Sequence, residues 1–352
     1  MGLGKEGGDF LSLTALMKKL ILVCWIGCCL IARGAEYVVT VSVDGLGSSY
    51  LQSLVDAGKL PHFKQLQAES AGTTNARPDF NITVTLPNHT SMITSRRITE
   101  HEGHNWTSNT DPAKGVTIHS HKGAYVASVF DVAHDHGLKT GVWATKTKFS
   151  LFQVSYNDAN GAPDTTDPDN GRNKVDSYVY NKSSIELMDS FMACMTNQPC
   201  NYAFVHFGEC DAAGHGRGWG SEPYNTALIM LDGQLGRIMN LIATDPMFKG
   251  KTDLILTSDH GGAGKDHGDP TKLLNYTIPF YVWGAGVTAG DLYALNTESR
   301  QMPGEGRPDY AAAPPPIRNA EVGNLALSLL GLPPIPGSMV DAKQDLRVGA
   351  GK

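Results

Sequence analysis

Cysteine and positive charge are both scarce in this chain. Its 352 residues include six cysteines, and no pair has Cys-x-x-Cys spacing, which argues against zinc held by thiolates. Lysine and arginine number 29 against 35 aspartates and glutamates, a formal net charge of −6. An acidic balance of that size argues against a broad face for duplex nucleic acid. No apolar run reaches the roughly 20 residues of a comfortable membrane span. There is no Walker A loop and no Gly-x-Ser-x-Gly elbow. Gly45-x-Gly47 offers half of a dinucleotide fingerprint, but Tyr50 stands where the third glycine belongs. Hydrophobic residues make up an ordinary 41%, so the chain reads as globular, with length for one large core or two modest ones.

The N-terminus reads as a targeting segment. Met17, Lys18 and Lys19 precede the apolar run from Leu20 to Leu30, and Ala32-Arg33-Gly34-Ala35 follows. A basic start, a short apolar stretch and small residues at a cleavage point describe a signal peptide. We expect residues 1–35 to be that peptide, with Met17 as an alternative start. Residues 36–352 then form a single catalytic domain, exported to the periplasm or the extracellular space, with no stable membrane span once the leader is gone. Cys24, Cys28 and Cys29 leave with the leader. Export makes a Cys194–Cys200 disulfide an expectation, with Cys210 as a buried thiol.

Tyr37 to Val43 is rich in β-branched residues and ends in Asp44-Gly45, as a buried strand running into a turn does. Thr140–Ala144, Tyr202–Phe207, Asp253–Thr257 and Ile278–Trp283 read alike. Between them, apolar residues recur at helical spacing over Ala124–His136, Tyr224–Ala243 and Asn319–Leu330. Strands alternating with helices predict an α/β fold, a central mostly parallel sheet sandwiched by helices. Ser155–Asn181 and Met302–Pro316 read as loops. Asp164, Asp167 and Asp169 in the first do not have the spacing of a calcium-binding EF-hand.

The chemistry-bearing residues follow the strands. Asp44 follows the first; Asp211 and His215 follow Tyr202–Phe207; Asp259 and His260 follow Asp253–Thr257, with His267 seven residues on. In a parallel sheet these turns open at one carboxyl edge, where sites form in open α/β folds. Carboxylates and imidazoles gathered there suit zinc, with manganese or iron as alternatives. Between them lies Thr83-Val84-Thr85-Leu86-Pro87-Asn88-His89, where Pro87 and Asn88 predict a turn, and Thr85 could stand at a helix N-terminus that favours anions. A threonine hydroxyl is a weak nucleophile until a neighbouring metal lowers its pKa.

Val43-Asp44-Gly45, Thr85-Leu86-Pro87-Asn88-His89, Asp211-Ala212-Ala213-Gly214-His215 and Asp259-His260-Gly261-Gly262, in that order, resemble the alkaline phosphatase superfamily. More narrowly they resemble its nucleotide pyrophosphatase/phosphodiesterase branch. The segment ending Leu329-Leu330-Gly331-Leu332-Pro333 is similar to that family's C-terminal helix. The resemblance implies an alkaline phosphatase-like fold and a phosphoester hydrolase acting on a small-molecule substrate. It implies Thr85 as nucleophile, passing through a phosphothreonine. Carried over by motif, one metal ion falls to Asp44, Thr85, Asp259 and His260, the other to Asp211, His215 and His267. His267 departs from the pattern of the better-known phosphodiesterases, whose third histidine lies much further along. An asparagine donating to a phosphoryl oxygen is expected at Asn109 or Asn105, the former preferred, and His89 is expected to tie the turn. Diester and monoester cleavage both remain open, as does a phosphonate substrate. Lys146 and Lys148 are read as solvated. Thr85-Leu86-Pro87-Asn88-His89 lacks the Cys/Ser-x-Pro-x-Arg context of sulfatases.

Overall fold

A computed structural model describes residues 1–4 and 34–349. Of the leader expected over residues 1–35, residues 5–33 lie outside them. No helix among the described residues is long and apolar enough to cross a membrane.

One eight-stranded sheet forms in the order β4-β3-β5-β1-β6-β7-β2-β8. Its strands are β1 (Tyr37–Val43), β2 (Ala71–Ala76), β3 (Thr140–Ala144), β4 (Ser177–Tyr180), β5 (Tyr202–Phe207), β6 (Thr252–Thr257), β7 (Ile278–Gly284) and β8 (Gly290–Asp291). β4, β3, β5, β1 and β6 run parallel, while β7 is antiparallel to both its neighbours. The central strands are buried on both faces, so β5 and β6 are built around continuous apolar stretches, residues 202–205 and 254–256, rather than alternating ones.

Side-chain alternation sends Val39, Val41, Val43, Ala203, Val205 and Phe207 to one core. That core is closed by the helices Ser48–Asp56, Pro61–Glu69, Ser184–Asn197 and Glu222–Thr244. Val38, Tyr202, Phe204, Ile255 and Phe280 face the other. There the helices Thr85–Thr94, Val129–Asp135, Ser150–Ser155 and Val322–Leu329 cover the sheet. The sheet is therefore sandwiched, as expected.

Several local expectations are corrected. The helix expected over Ala124–His136 begins only at Val129. Ser128 caps it, exchanging bonds with Asp131 at the third helical position. Pro87 lies in the first turn of the helix Thr85–Thr94 rather than in a turn, a place where its missing N–H costs little. The segment Ser155–Asn181 contains β4 and a fully buried lysine. Lys174 Nζ meets the carboxylates of Asp135 and Asp164, so the chain's own cation neutralises this acidic cluster. The Cys194–Cys200 bridge is not formed. Both thiols are free, with Cys194 Sγ turned back onto Gln198 O at 3.5 Å. Burial and the nearby Cys194 push the Cys200 thiol up to about 12.

His104 anchors the loop that follows the helix Thr85–Thr94. Its Nδ1 accepts from Trp106 N at 3.0 Å, and its Nε2 lies 3.0 Å from Ser91 Oγ. Burial and the Arg96 charge push it down to about 3. The unfolded chain therefore binds a proton between about pH 6.5 and 3 that the folded chain refuses, so this contribution to stability falls as pH drops through that window. Urea titrations between about pH 4 and 7 should show a loss of up to roughly 1 kcal/mol per pH unit that His104→Gln removes.

Candidate active site

β5, β1 and β6 are adjacent at the sheet centre, and all three run out at the same edge. Asp44 comes directly off β1. Past β5 the chain turns into the helix Glu209–Arg217, whose four-residue spacing puts Asp211 and His215 on one face. Beyond β6 come Asp259 and His260. Gly45 adopts φ +73°, and a Cβ there would stand 3.1 Å from Asp211 Cα. A glycine is therefore what lets the β1 and β5 turns approach so closely.

Each carboxylate has one oxygen anchored and one left over. Asp259 Oδ1 accepts from Gly45 N at 3.0 Å and His260 N at 2.9 Å. Asp44 Oδ2 accepts from His206 Nε2 at 3.0 Å and Lys146 Nζ at 2.6 Å. Asp211 Oδ2 accepts from the same ammonium, also at 2.6 Å. The remaining oxygens, Asp44 Oδ1, Asp211 Oδ1 and Asp259 Oδ2, are buried without a hydrogen-bond partner among the described residues. So are Thr85 Oγ1 and His260 Nε2. Buried polar atoms cost on the order of 1–3 kcal/mol each when unpaired. Five together mark a site shaped for something these side chains do not supply.

The histidines show the same orientation. His260 Nδ1 bonds Gly261 O at 2.8 Å, His215 Nδ1 bonds Lys265 O at 3.0 Å, and His267 Nδ1 bonds Thr83 O at 2.5 Å. With Nδ1–H donating to a backbone carbonyl, each ring turns its Nε2 inward, the arrangement of metal-ligating histidines. His260 Nε2 lies 3.1 Å from Asp259 Oδ2 and 3.6 Å from Asp44 Oδ1. His215 Nε2 and His267 Nε2 are 3.1 Å apart, at 3.4 and 3.6 Å from Asp211 Oδ1. The donors thus fall into two clusters, Asp44 with Asp259 and His260, and Asp211 with His215 and His267. His260 and His267 stack between them at 3.6 Å.

Electrostatically, the site demands positive charge. Burial alone would raise Asp44, but Lys146 and the bond from His206 outweigh it and hold the carboxyl well below its usual range. Burial lowers His260 too, yet Asp259 and Asp44 lift it to about 9. Burial and the His260 charge push His267 down to about 4. Three crowded carboxylates with imidazoles, His260 giving up its proton as a cation takes its place, are a donor set that fits divalent cations.

Thr85 opens the helix Thr85–Thr94, whose first turn reaches the first cluster through His89 Nδ1, 3.6 Å from Asp259 Oδ2. His89 binds Thr85 O through Nδ1 at 2.8 Å and Ser42 Oγ through Nε2 at 2.8 Å, so it ties this turn, as expected. Asn109 Oδ1 accepts from Leu86 N at 2.9 Å and Lys148 Nζ at 3.2 Å, which brings the amide beside the helix start. Asn105 is not brought there. Its amide nitrogen faces the carbonyls of Glu100 and Ile98 at 2.9 and 3.2 Å, closing a loop of its own. Lys146 corrects the solvated reading outright, since it bridges Asp44 and Asp211. Lys148 is half-buried; burial and the Lys146 charge lower its pKa. Thr145-Lys146-Thr147-Lys148 leaves β3, next to β5, and that strand order is what no local pattern reveals. His206 was likewise missed, hidden within an apolar strand.

A sequence model of the family described as type I phosphodiesterase / nucleotide pyrophosphatase matches residues 38–303. No curated protein matches. Among solved structures, murine ectonucleotide pyrophosphatase/phosphodiesterase 5, in an inactive form complexed with AMP, is 15% identical with a TM-score of 0.58, over 85% of this chain and 96% of that one. Wild-type alkaline phosphatase PafA is 12% identical with a TM-score of 0.60, over 90% and 99%. The C-terminal periplasmic domain of Escherichia coli EptC is 14% identical with a TM-score of 0.53, over 85% and 83%. These structures share the fold.

Proposed function

Because this chain belongs to the type I phosphodiesterase / nucleotide pyrophosphatase family of the alkaline phosphatase superfamily, and is thereby a phosphoester hydrolase, we propose that it cleaves small phosphodiesters through Thr85 with two divalent metal ions. The observation that carries this reading is the set of buried, partnerless polar atoms on Asp44, Asp211, Asp259 and His260, with the Thr85 hydroxyl among them. Asp44, Thr85, Asp259 and His260 would hold one ion; Asp211, His215 and His267 would hold the other. Zinc suits these donors best, with manganese or iron as alternatives. Bound there, such a pair supplies Lewis acidity to the phosphoryl group and makes hydroxyl protons easier to lose.

The chain's own groups do the rest. Thr85 Oγ attacks phosphorus in line with the ester oxygen that leaves, and the P–O bond to that oxygen breaks as the phosphothreonine forms. Water then cleaves the phosphothreonine and restores the hydroxyl. Asn109 is held by Leu86 N through Oδ1, which leaves its Nδ2 hydrogens for a phosphoryl oxygen, where charge spreads in the transition state. The AMP complex of the murine relative makes a nucleotide a reasonable substrate. Export to the periplasm or extracellular space follows from the leader reading and from the likeness to a periplasmic domain.

Lys146 and Lys148 favour a second reading, phosphomonoester hydrolysis. A monoester dianion carries one charge more than a diester, and two ammonium groups at one site would reward it. Rates on bis-p-nitrophenyl phosphate and p-nitrophenyl phosphate, with zinc and with chelator, separate the two. Faster, chelator-sensitive diester cleavage supports the phosphodiesterase. Monoester preference that falls about tenfold or more in Lys148→Met, whose ammonium pairs with none of the proposed metal ligands, moves the function to a phosphatase while keeping the site.

A further inference from the structure

We propose that His206 is a positioning residue: its Nε2–H fixes the Asp44 carboxylate so that Oδ1 is presented to a metal ion, and Thr145 sets the tautomer that makes this possible. The inference rests on the two-metal reading above and adds a residue that belongs to none of the motifs.

His206 lies on β5, in register with Ser42 of β1 and Ala144 of β3. The side chains before it on the same face, Tyr202 and Phe204, are apolar core. An imidazole is thus placed where the pattern calls for a hydrophobe. It is fully buried, and its ring packs 4.1 Å from that of Phe149 and 5.0 Å from that of His89. A buried polar ring costs free energy unless both nitrogens are satisfied. Its side-chain partners are Asp44 Oδ2, 3.0 Å from Nε2, and Thr145 Oγ1, 3.3 Å from Nδ1.

The proton positions follow from these partners. An ionised carboxylate only accepts, so Nε2 carries the hydrogen. In the proposed tautomer Nδ1 is then an acceptor, and the Thr145 hydroxyl donates to it. Asp259 achieves the same result with two backbone N–H groups on Oδ1, leaving Oδ2 free. Asp44, coming off the end of β1, draws on a side chain 162 residues away in the chain but one strand away in space. Its other donor, Lys146, sits on a flexible four-carbon stem and is partly exposed. His206 is the rigid donor, and Gly208 leaves room for it, since a Cβ there would lie 2.9 Å from Thr145 Oγ1 and 3.3 Å from His206 Cε1.

The test is zinc affinity, read by competition with a chelating dye on the metal-free chain. His206→Phe keeps a ring in the core but removes the donor. It should weaken one of two zinc ions by about 10- to 100-fold and leave the other unchanged. His206→Gln, whose amide nitrogen can reach the place of Nε2, should recover most of the loss. Thr145→Val should weaken the same ion by a few-fold in the His206 protein and have no effect in the His206→Gln background. Circular dichroism and melting of the metal-free variants check folding; if His206→Phe does not fold, Thr145→Val and its dependence on His206 carry the test. Wild-type affinity in His206→Phe, or no recovery in His206→Gln, overturns the role of His206. A wild-type chain that binds no zinc, or whose affinity Asp44→Asn leaves unchanged, overturns the two-metal reading itself.

Discussion

Thr85→Ala should lose turnover by a factor on the order of 10⁴ to 10⁶, as enzymes do when the nucleophile is removed, while still binding both metal ions. The hydroxyl is one of five buried, partnerless donors, and Asp44, Asp259 and His260 would still hold the nearer ion without it. Removing the methyl and oxygen leaves little cavity, so the melting temperature should change little. Thr85→Ser should return a measurable share of the rate, because the attacking atom is restored with only a methyl group missing. Mass spectrometry of wild-type protein quenched during turnover should show a phosphorylated peptide containing Thr85, absent from the alanine variant. Turnover that survives Thr85→Ala would transfer the nucleophile's role to water and end the covalent mechanism.

Chelation should have the second-largest effect, and on two observables at once. Activity should vanish and return when zinc is added back. Stability should fall too, because three crowded carboxylates then have only Lys146 and protonated histidine to balance them. An ion present at a thousand times its Kd stabilises the fold by about 4 kcal/mol, which for a domain of this size means a drop on the order of 5 to 10 °C on removal. Melting curves with graded zinc test this directly. A melting temperature that ignores zinc would show that the folded chain does not bind it.

The sheet's centre and the ligand turns were legible in the sequence for one reason. Buried parallel strands are continuous β-branched and apolar runs, and each of the three runs into an aspartate. What escaped lacks that signature. β2 is Ala71-Gly72-Thr73-Thr74-Asn75-Ala76, where only the two threonines favour a strand, and pairing with β7 and β8 makes it one. β4 hid in a loop-like composition. The antiparallel sense of β7 is invisible because a buried strand reads the same in either direction. Lys146 looked like any surface lysine; its role depends on β3 lying beside β5, a matter of strand order. Spacing only leaned toward Asn109 over Asn105; the bond from Leu86 N to Asn109 and the loop contacts of Asn105 distinguish them.

The ordering β5-β1-β6 has a geometric consequence for how such an enzyme can change. Asp211, Asp44 and Asp259 leave three neighbouring strands, and neighbouring strands are spaced about 4.8 Å apart by backbone hydrogen bonds common to all sheets. The interval between the two halves of the site is thus a lattice constant of the polypeptide, indifferent to side-chain identity. Residues on the rim can be exchanged to admit a different leaving group without disturbing that interval. No single side-chain replacement can stretch it, because the ruler is the sheet itself.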